Sequence, residues 1–252
     1  MTSFLLALQF LTIIPVKIKN FTEASFARAM IFFPVIGLLL ALFLIFINYL
    51  LSSLGFGGIT LNAILVVALI ILTGGMHLDG LSDTFDAISS AKSKEEMLEI
   101  MRDPHCGVMG VLSIVCVILL KISFLSSLPS LHKIGALILM CVLSRWALVF
   151  LIFLFPYARD NGKGKIFSQG INRRIFMMAS LFSLFCAVML FKLIGFLIII
   201  FTALAAYLFA KLVARKIGGI TGDTLGAANE LMEVLILFAL CIFERTELLW
   251  IM

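Results

Sequence analysis

The stretch GGMHLDGLSDTFDA, residues 74–87, places three aspartates and a histidine directly after a long run of apolar residues. The chain has 252 residues, of which 63% are hydrophobic and only 13% are charged. A carboxylate beside lipid is costly and therefore usually functional. Both the fold and the function consequently depend on what neutralises three negative charges at the edge of an apolar segment.

Composition defines the class of protein. A soluble domain has about 45–50% apolar and about 25% charged residues, whereas a membrane-spanning helix needs roughly 20 mostly apolar residues. We therefore predict an all-α fold, a polytopic integral membrane helical bundle in which residues 1–252 form a single catalytic domain. Residues 1–16 are apolar but short, which predicts an N-terminal interfacial or re-entrant helix. About six to seven transmembrane helices are expected, from the apolar runs at 30–51, 59–76, 107–127, 134–155, 175–191, 193–213 and 231–243.

Charge placement predicts the orientation in the membrane. Basic residues cluster in the loops at 17–29, 156–174 and 211–230, whereas the intervening turns carry at most one lysine. By the positive-inside rule, the basic loops face the cytoplasm, and the chain is a multi-pass protein of the cell (inner or plasma) membrane. Residues 77–106 fall on the same side, so we expect the active site to face the cytoplasm. The net charge of +5 sits in these short loops and does not indicate nucleic-acid binding.

The aspartate cluster has helical spacing. At 100° per residue, Asp79, Asp83 and Asp86 lie at i, i+4 and i+7 and project from one face of a helix. Like charges at this spacing destabilise a helix unless a cation lies between them. Oxygen ligands suit a hard divalent ion, Mg²⁺ or Mn²⁺, and Mg²⁺ is often shared with substrate phosphates. We predict that the three aspartates are catalytic residues and metal ligands; the alternative is a set of solvated charges at a helix end.

Three nearby residues are candidates for binding substrate. His77 lies roughly opposite the aspartates on the helical wheel, so it either packs or caps the helix or contacts substrate. Arg102 is a candidate phosphate donor and Asp103 a candidate further ligand. The alternative for this last pair is mutual neutralisation at the interface.

A second acid-bearing segment, KIGGITGDTLGAANELMEV, covers residues 216–234. If the chain is helical from Asp223, Glu230 at i+7 and Glu233 at i+10 lie within an arc of about 80°. We predict Asp223 and Glu230 as additional metal ligands, and Asn229 and Glu233 as substrate-binding residues. The alternative is helix packing through small residues, with the acids at the membrane edge.

Together the two segments suggest a metal-dependent transfer of a phosphate-linked group at the membrane surface, with an acceptor hydroxyl as the attacking group. A cation transporter is a rival, but it requires acids in the middle of its spans. In the middle of the apolar runs the sequence places Lys121 and Arg145 but no Asp or Glu. Arg145 either snorkels to an interface or clamps two helices together.

Four motifs in order resemble the cobalamin synthase family: LALQFLTIIPV (6–16), HLDGLSDTFDA (77–87), MRDPHCGVMG (101–110) and GDTLGAANELMEV (222–234). The resemblance runs over essentially the whole chain. It implies an adenosylcobinamide-GDP ribazoletransferase that joins adenosylcobinamide-GDP to α-ribazole, or to its 5′-phosphate, and releases GMP with Mg²⁺ as cofactor. It also implies a membrane enzyme in contact with lipid.

The aspartate spacing is also similar to that of CDP-alcohol phosphotransferases, which act on lipid or polyol alcohols and carry a longer D-G-x-x-A-R motif. After Asp79 and Gly80 this sequence continues Leu-Ser-Asp-Thr, without the A-R pair. The first family is therefore favoured. Glycine-rich helix faces also make a homo-oligomer possible.

Overall fold

The computed structural model describes residues 2–18, 22–159 and 163–246, and the remaining parts of the loops at 17–29 and 156–174 lie outside the described residues. This part of the chain is helical, with one isolated β-bridge, which confirms the predicted all-α class. The helices are α1 (Thr2–Leu11), α2 (Glu23–Ala29), a short 3₁₀ turn (Met30–Phe32), α3 (Phe33–Ser53), α4 (Gly58–Thr73), α5 (Met76–Ser89), α6 (Lys94–Ile100), α7 (Val108–Ser127), α8 (Ser130–Leu154), α9 (Lys163–Gly170), α10 (Arg173–Ile217) and α11 (Gly222–Arg245).

Within the described ranges, five helices are long and apolar enough to cross a membrane, and the bent pair α4–α5 is a sixth candidate. One of the five, α10, would measure about 67 Å if it were straight, more than twice the thickness of the hydrocarbon core. Its backbone leaves the helical region at Phe191 and Lys192. A Cβ on Gly195 would lie 1.9 Å from the carbonyl oxygen of Ala187, so the chain reverses there. Counted as this hairpin, α10 supplies the two spans predicted on either side of residue 192.

The centre of the bundle is α8, which packs against α3, α10 and α11. Together with α11 it is the most buried of the candidate spans. The crossing with α3 is close because Gly37 faces the α8 backbone, where a Cβ would lie 2.3 Å from the carbonyl oxygen of Cys141. Small residues allow helices in lipid to approach in this way.

The N-terminal helix α1 does not span the membrane. Its ten residues reach about 15 Å, roughly half of the hydrocarbon core. Beyond its end, the Ile13 N–H donates to the carbonyl of Leu72 over 2.9 Å. Phe10 packs against Phe33 and Phe167 with ring centroids 5.7 and 4.9 Å apart. A short helix of this kind is what the first sixteen residues predicted.

The acid-bearing segments and the 156–159 loop lie at one end of the bundle. The Ile220 N–H donates to the carbonyl of Pro156 over 2.9 Å. Lys216 Nζ donates to the carbonyl of Ile88, at the end of α5, over 3.1 Å. These contacts place segments that were predicted to share one side of the membrane at the same end of the bundle. That this side is cytoplasmic remains a prediction from the charge distribution.

Four buried charges from three helices pair inside the bundle. Lys121 of α7 donates to Glu230 of α11 over 2.6 Å. Glu233, one turn further along α11, accepts from both Lys121 and Arg145 of α8. Arg145 and Glu233 have no exposed surface. Arg145 therefore clamps two helices together, and the expectation that acids are absent from the spans is wrong because α11 carries both glutamates inside the bundle.

This network is balanced, with two cations facing two carboxylates. Removing one member of a buried pair leaves an uncompensated charge at low dielectric and costs about 3–5 kcal/mol, whereas replacing both members with apolar residues is often nearly neutral. The network therefore couples α7, α8 and α11 through charge as well as packing.

We predict that Arg145→Met lowers the free energy of unfolding by about 3–5 kcal/mol, because Glu233 then lacks its main cation. The double variant Arg145→Met/Glu233→Met should recover most of that loss, since Lys121 and Glu230 remain paired. Reversible denaturation in detergent micelles measures both effects. Additive losses in the double variant would contradict the coupling.

Candidate active site

The acidic helix α5 begins with a sharp break in the chain. Gly74 and Gly75 both have positive φ, 63° and 70°, a conformation that costs glycine little and other residues much more. The Gly74 N–H still bonds the last turn of α4, so the glycine ends that helix in the left-handed conformation. The next helix, α5, leaves at 90°. The apolar run thus ends, and its polar continuation turns out of the membrane-spanning direction.

The helices α5 and α11 approach closely through two glycines. A Cβ on Gly80 would lie 2.7 Å from the carbonyl oxygen of Asp223, and a Cβ on Gly226 would lie 3.2 Å from that of His77. The contact places Asp223, at the start of α11, beside Gly80, which directly follows Asp79 in α5. Two acid-bearing segments that are distant in sequence therefore meet.

At this junction lies an acidic cleft of about 550 Å³. It is lined by five of the predicted site residues, Asp79, Asp83, Arg102, Asp103 and Asp223, together with parts of the 101–106 loop. Carboxylates from two helices and a guanidinium thus face one space. Such a cleft suits a phosphate-bearing ligand together with a cation.

The electrostatics of the acidic cleft favour added positive charge. Burial, and then the neighbouring carboxylates of Asp79 and Asp223, raise the pKa of Asp83 to about 7. Asp223 is paired with Arg159, whose Nη2 lies 2.7 Å from Oδ2. Arg159 pairs with Asp223 and Arg102 is exposed at the edge of the cleft, so Asp79 and Asp83 keep their mutual repulsion, which a bound cation would relieve.

Asp86, predicted as a metal ligand, caps a neighbouring helix in the structure. Its carboxylate accepts the N–H of Gly107 over 2.7 Å and the N–H of Gly110 over 2.8 Å. These amides belong to the first turn of α7, whose N-cap position is a glycine without a side chain. Asp86 thus caps a neighbouring helix and complements its dipole. It lies on the predicted face of α5 but is engaged in capping and does not line the acidic cleft.

The described residues do not form a ready-made metal site with several protein ligands. Across the part of the chain that the structure describes, no three or more His, Cys, Asp or Glu side chains converge closely enough to hold a metal ion. Mg²⁺ commonly keeps several waters and binds through one or two carboxylates plus substrate phosphates. The oxygen donors Asp79, Asp83 and Asp223 fit that kind of site.

Glu230 and Glu233 do not share the acidic cleft. Both are buried in the ion network with Lys121 and Arg145. Their angular positions put Glu230 and Glu233 on the same face of α11 as Asp223. At 1.5 Å per residue, however, they lie about 10 and 15 Å further along the axis of that helix. The structure therefore corrects their predicted roles as metal ligand and substrate-binding residue.

Asn229 is buried beside the same network. Its Nδ2 donates to Oε1 of Glu233 over 3.1 Å. It does not line the acidic cleft, so its predicted contact with substrate is replaced by support of the buried pair.

Arg102 and Asp103 are not a self-neutralising pair. Asp103 accepts the His105 N–H over 3.0 Å and contacts its ring nitrogen at 2.5 Å. The backbone hydrogen bond, and then the ring, hold the pKa of the Asp103 carboxyl below its usual value. Arg102 is exposed and lines the acidic cleft, where it is placed to meet an anion.

A second space, here called the aromatic cavity, adjoins the acidic cleft. It measures about 330 Å³ and shares Asp79 and Asp223 with the cleft. His77 also lines it and is only 3% exposed, and its Nδ1 has no hydrogen-bond partner among the described residues. The wall consists mainly of aromatic and aliphatic side chains: Phe10, Phe33, Phe167, Leu148, Ile152 and Leu225.

Two residues of this region were missed by sequence reasoning. Arg159 and Tyr157 line the aromatic cavity, but in the sequence they are only part of a basic loop. Their position follows from the β-bridge that pairs Tyr157 with Ile220, just before Asp223. No local pattern predicts a bridge between segments about sixty residues apart.

We predict that Asp86→Ala frees the amides at the start of α7 and destabilises this turn by about 0.5–2 kcal/mol, because two N–H groups lose their acceptor. Asp86→Asn should keep much of the cap, since its amide oxygen still accepts. Hydrogen exchange at residues 107–110 measures the effect. Asp79→Ala is the matched control, and equal exchange in both alanine variants would contradict the capping role.

Comparison with known proteins is consistent across the chain. The family model described as cobalamin-5-phosphate synthase matches residues 3–241. A Fusobacterium nucleatum protein named adenosylcobinamide-GDP ribazoletransferase is 37% identical, covering 94% of this chain and 96% of the relative. Proteins of the same name from Roseiflexus and Escherichia coli are each 38% identical, covering 96% and 92% of this chain and 90% and 96% of their own lengths. No solved structure matches the chain at a significant level.

Proposed function

The chain belongs to the cobalamin-5-phosphate synthase family, and we propose that it is an adenosylcobinamide-GDP ribazoletransferase. The enzyme joins adenosylcobinamide-GDP to α-ribazole, or to α-ribazole 5′-phosphate, and releases GMP in the last assembly step of adenosylcobalamin. The observation that supports a site for this reaction is the acidic cleft, where Asp79, Asp83 and Asp223 meet beside Arg102.

The reaction is a displacement at phosphorus. A hydroxyl oxygen of the acceptor forms a bond to the corrinoid-side phosphorus of the diphosphate, and the bond from that phosphorus to the bridging oxygen breaks. GMP leaves with the bridging oxygen, and the hydroxyl proton passes to a base. Catalysis of this kind depends chiefly on positioning and on neutralising charge around the diphosphate.

The residues of the acidic cleft divide these tasks. Arg102, exposed at its edge, binds a phosphate oxygen. Arg159 holds the Asp223 carboxylate in place through the 2.7 Å contact. A carboxylate of the cleft that is not engaged in ligation takes the proton of the attacking hydroxyl. Asp86 acts indirectly, because it fixes the start of α7 against α5.

Mg²⁺ is the cofactor that these oxygen donors favour, and one or two of the carboxylates of Asp79, Asp83 and Asp223 would hold it. When bound with a diphosphate, such an ion neutralises phosphate charge and stabilises the leaving group. The raised pKa of Asp83, caused by burial and by neighbouring carboxylates, supports a cation at this position.

We further propose that the acidic cleft faces the cytoplasm of a cell membrane, because the basic loops lie at the same end of the bundle. Nucleotide substrates and Mg²⁺ are available there. Lipid covers the apolar outer faces of the helices, many of whose large side chains are exposed in the isolated chain. Self-association through glycine-bearing faces remains a prediction.

We predict that the purified protein releases GMP from adenosylcobinamide-GDP and α-ribazole, and that chelating Mg²⁺ with EDTA abolishes release, because the diphosphate charge is then unneutralised. Nucleotide chromatography measures GMP directly. The control is CDP-diacylglycerol with a lipid or polyol alcohol, from which no CMP should appear. CMP release would favour the CDP-alcohol phosphotransferase alternative.

We predict that Asp79→Asn, Asp83→Asn and Asp223→Asn each lower kcat for GMP release about a hundredfold or more, because each removes a carboxylate from the acidic cleft. Glu99→Gln on the exposed side of α6 is the matched control and should leave kcat unchanged. Full turnover by the Asp83→Asn protein in liposomes would show that the metal centre is wrongly assigned. Ion flux through the liposomes without GMP release would instead support a transporter.

A further inference from the structure

The aromatic cavity has a chemistry that phosphoryl transfer alone does not require. Its wall is built largely from phenylalanine, leucine and isoleucine side chains, including Phe10, Phe33 and Phe167. Pockets lined in this way, with few polar groups, are typical of sites for small aromatic ligands. The phenylalanine, leucine and isoleucine part of the wall offers no ligand to a phosphate or a metal ion. The charged side chains of the wall are Asp79, Asp223 and Arg159, which is paired with Asp223.

The position of the aromatic cavity links it to the reaction. Asp79 and Asp223 border both the aromatic cavity and the acidic cleft. A molecule with an apolar ring at one end and a hydroxyl at the other therefore has the ring in the cavity when the hydroxyl is at the carboxylates. This arrangement holds a nucleophile near the diphosphate without further contacts.

Two buried polar atoms of the residues that line the cavity lack a hydrogen-bond partner in the described ranges: Nδ1 of His77 and Nε of Arg159. His77 is 3% exposed, and its Nδ1 has no hydrogen-bond partner in the described part of the chain. Buried polar atoms are normally paired, and an unpaired one calls for an explanation such as an absent ligand. The backbone of His77 packs against Gly226 of α11, and His77 is one of the residues that line the cavity.

Building on the proposed function, we infer that the aromatic cavity binds the base of α-ribazole and that a ring N–H of His77 donates to its free nitrogen. The base is a benzimidazole with two methyl groups. One of its nitrogens carries the sugar, and the other is a single hydrogen-bond acceptor. The ribose then extends toward Asp79 and Asp223, where its hydroxyl meets the diphosphate.

The two other large groups of the substrates match the cavity poorly. Guanine presents several donors and acceptors along one edge. Of the carboxylates in the wall, Asp79 and Asp223 also border the acidic cleft, and Asp223 is already paired with Arg159. The corrin ring is far wider than a cavity of about 330 Å³ and carries amide side chains around its rim. The dimethylbenzimidazole base has an apolar outline and one acceptor, which is what this wall complements.

The first test fills the aromatic cavity. Leu225 lines it and is half-buried on α11, so Leu225→Trp should occupy the space of the base. We expect the affinity for α-ribazole, measured by its own fluorescence without corrinoid, to fall about tenfold or more. The KM for adenosylcobinamide-GDP should stay within about twofold. Ile242→Trp, on an exposed face of the same helix, is the matched control and should change neither value.

The second test isolates the hydrogen bond. For the wild-type protein, replacing α-ribazole by the corresponding dimethylindole riboside, with C–H in place of the free nitrogen, should weaken binding about tenfold. His77→Phe should bind the two nucleosides equally, because its ring has no donor. A purely structural role of His77 would weaken both nucleosides alike and preserve the tenfold preference.

Three outcomes would overturn the inference: unchanged α-ribazole binding in Leu225→Trp, a selective rise in the KM for adenosylcobinamide-GDP, or a preference retained in His77→Phe. Displacement of α-ribazole by added lipid, with no effect of either variant, would identify a lipid site instead. Because binding is measured without turnover, a wild-type protein that binds α-ribazole but releases no GMP would refute the proposed reaction alone.

Discussion

The close contact between α5 and α11 is the constraint on which the site depends. Gly80 and Gly226 remove the two side chains that would separate these helices, and the backbones meet near Asp223 and His77. With the helices held apart, Asp79 and Asp223 would face different spaces, and the acidic cleft and aromatic cavity would not share an edge. The relative position of Asp79 and Asp223 therefore depends on the absence of two side chains.

Charged side chains are neutralised differently inside the helical bundle and at its end. Deep in the bundle, Lys121 and Arg145 offset Glu230 and Glu233, because all four side chains are buried and a lone charge there would be costly. Around the acidic cleft the carboxylates outnumber the arginines, and Arg159 pairs with Asp223. The balanced set stabilises the fold, and the unbalanced set is suited to a cation and a diphosphate. The same residue types serve stability in one place and chemistry in the other.

Much of the site followed from helical spacing and from the resemblance to the cobalamin synthase family. The clustering of Asp79 and Asp83 was readable from i, i+4 spacing, and the partnership with Asp223 was expected from the matching motif. Spacing gives angle around a helix but not depth along it, which is why Glu230 was misplaced. Asp86 was also predicted as a metal ligand from its angle around the helix. In the structure its carboxylate instead accepts N–H groups at the start of α7, where the N-cap glycine has no side chain.

The sequence by itself determined the class of the protein, its spans, the hairpin near residue 192 and the acidic character of the site. These features depend on composition and on short-range periodicity, which are properties of the chain alone. Only the tertiary structure decided the partner of each charged side chain, the contribution of Arg159 and the existence of the aromatic cavity. Those features arise where helices distant in sequence cross, and the crossing points are set by packing that no local pattern encodes.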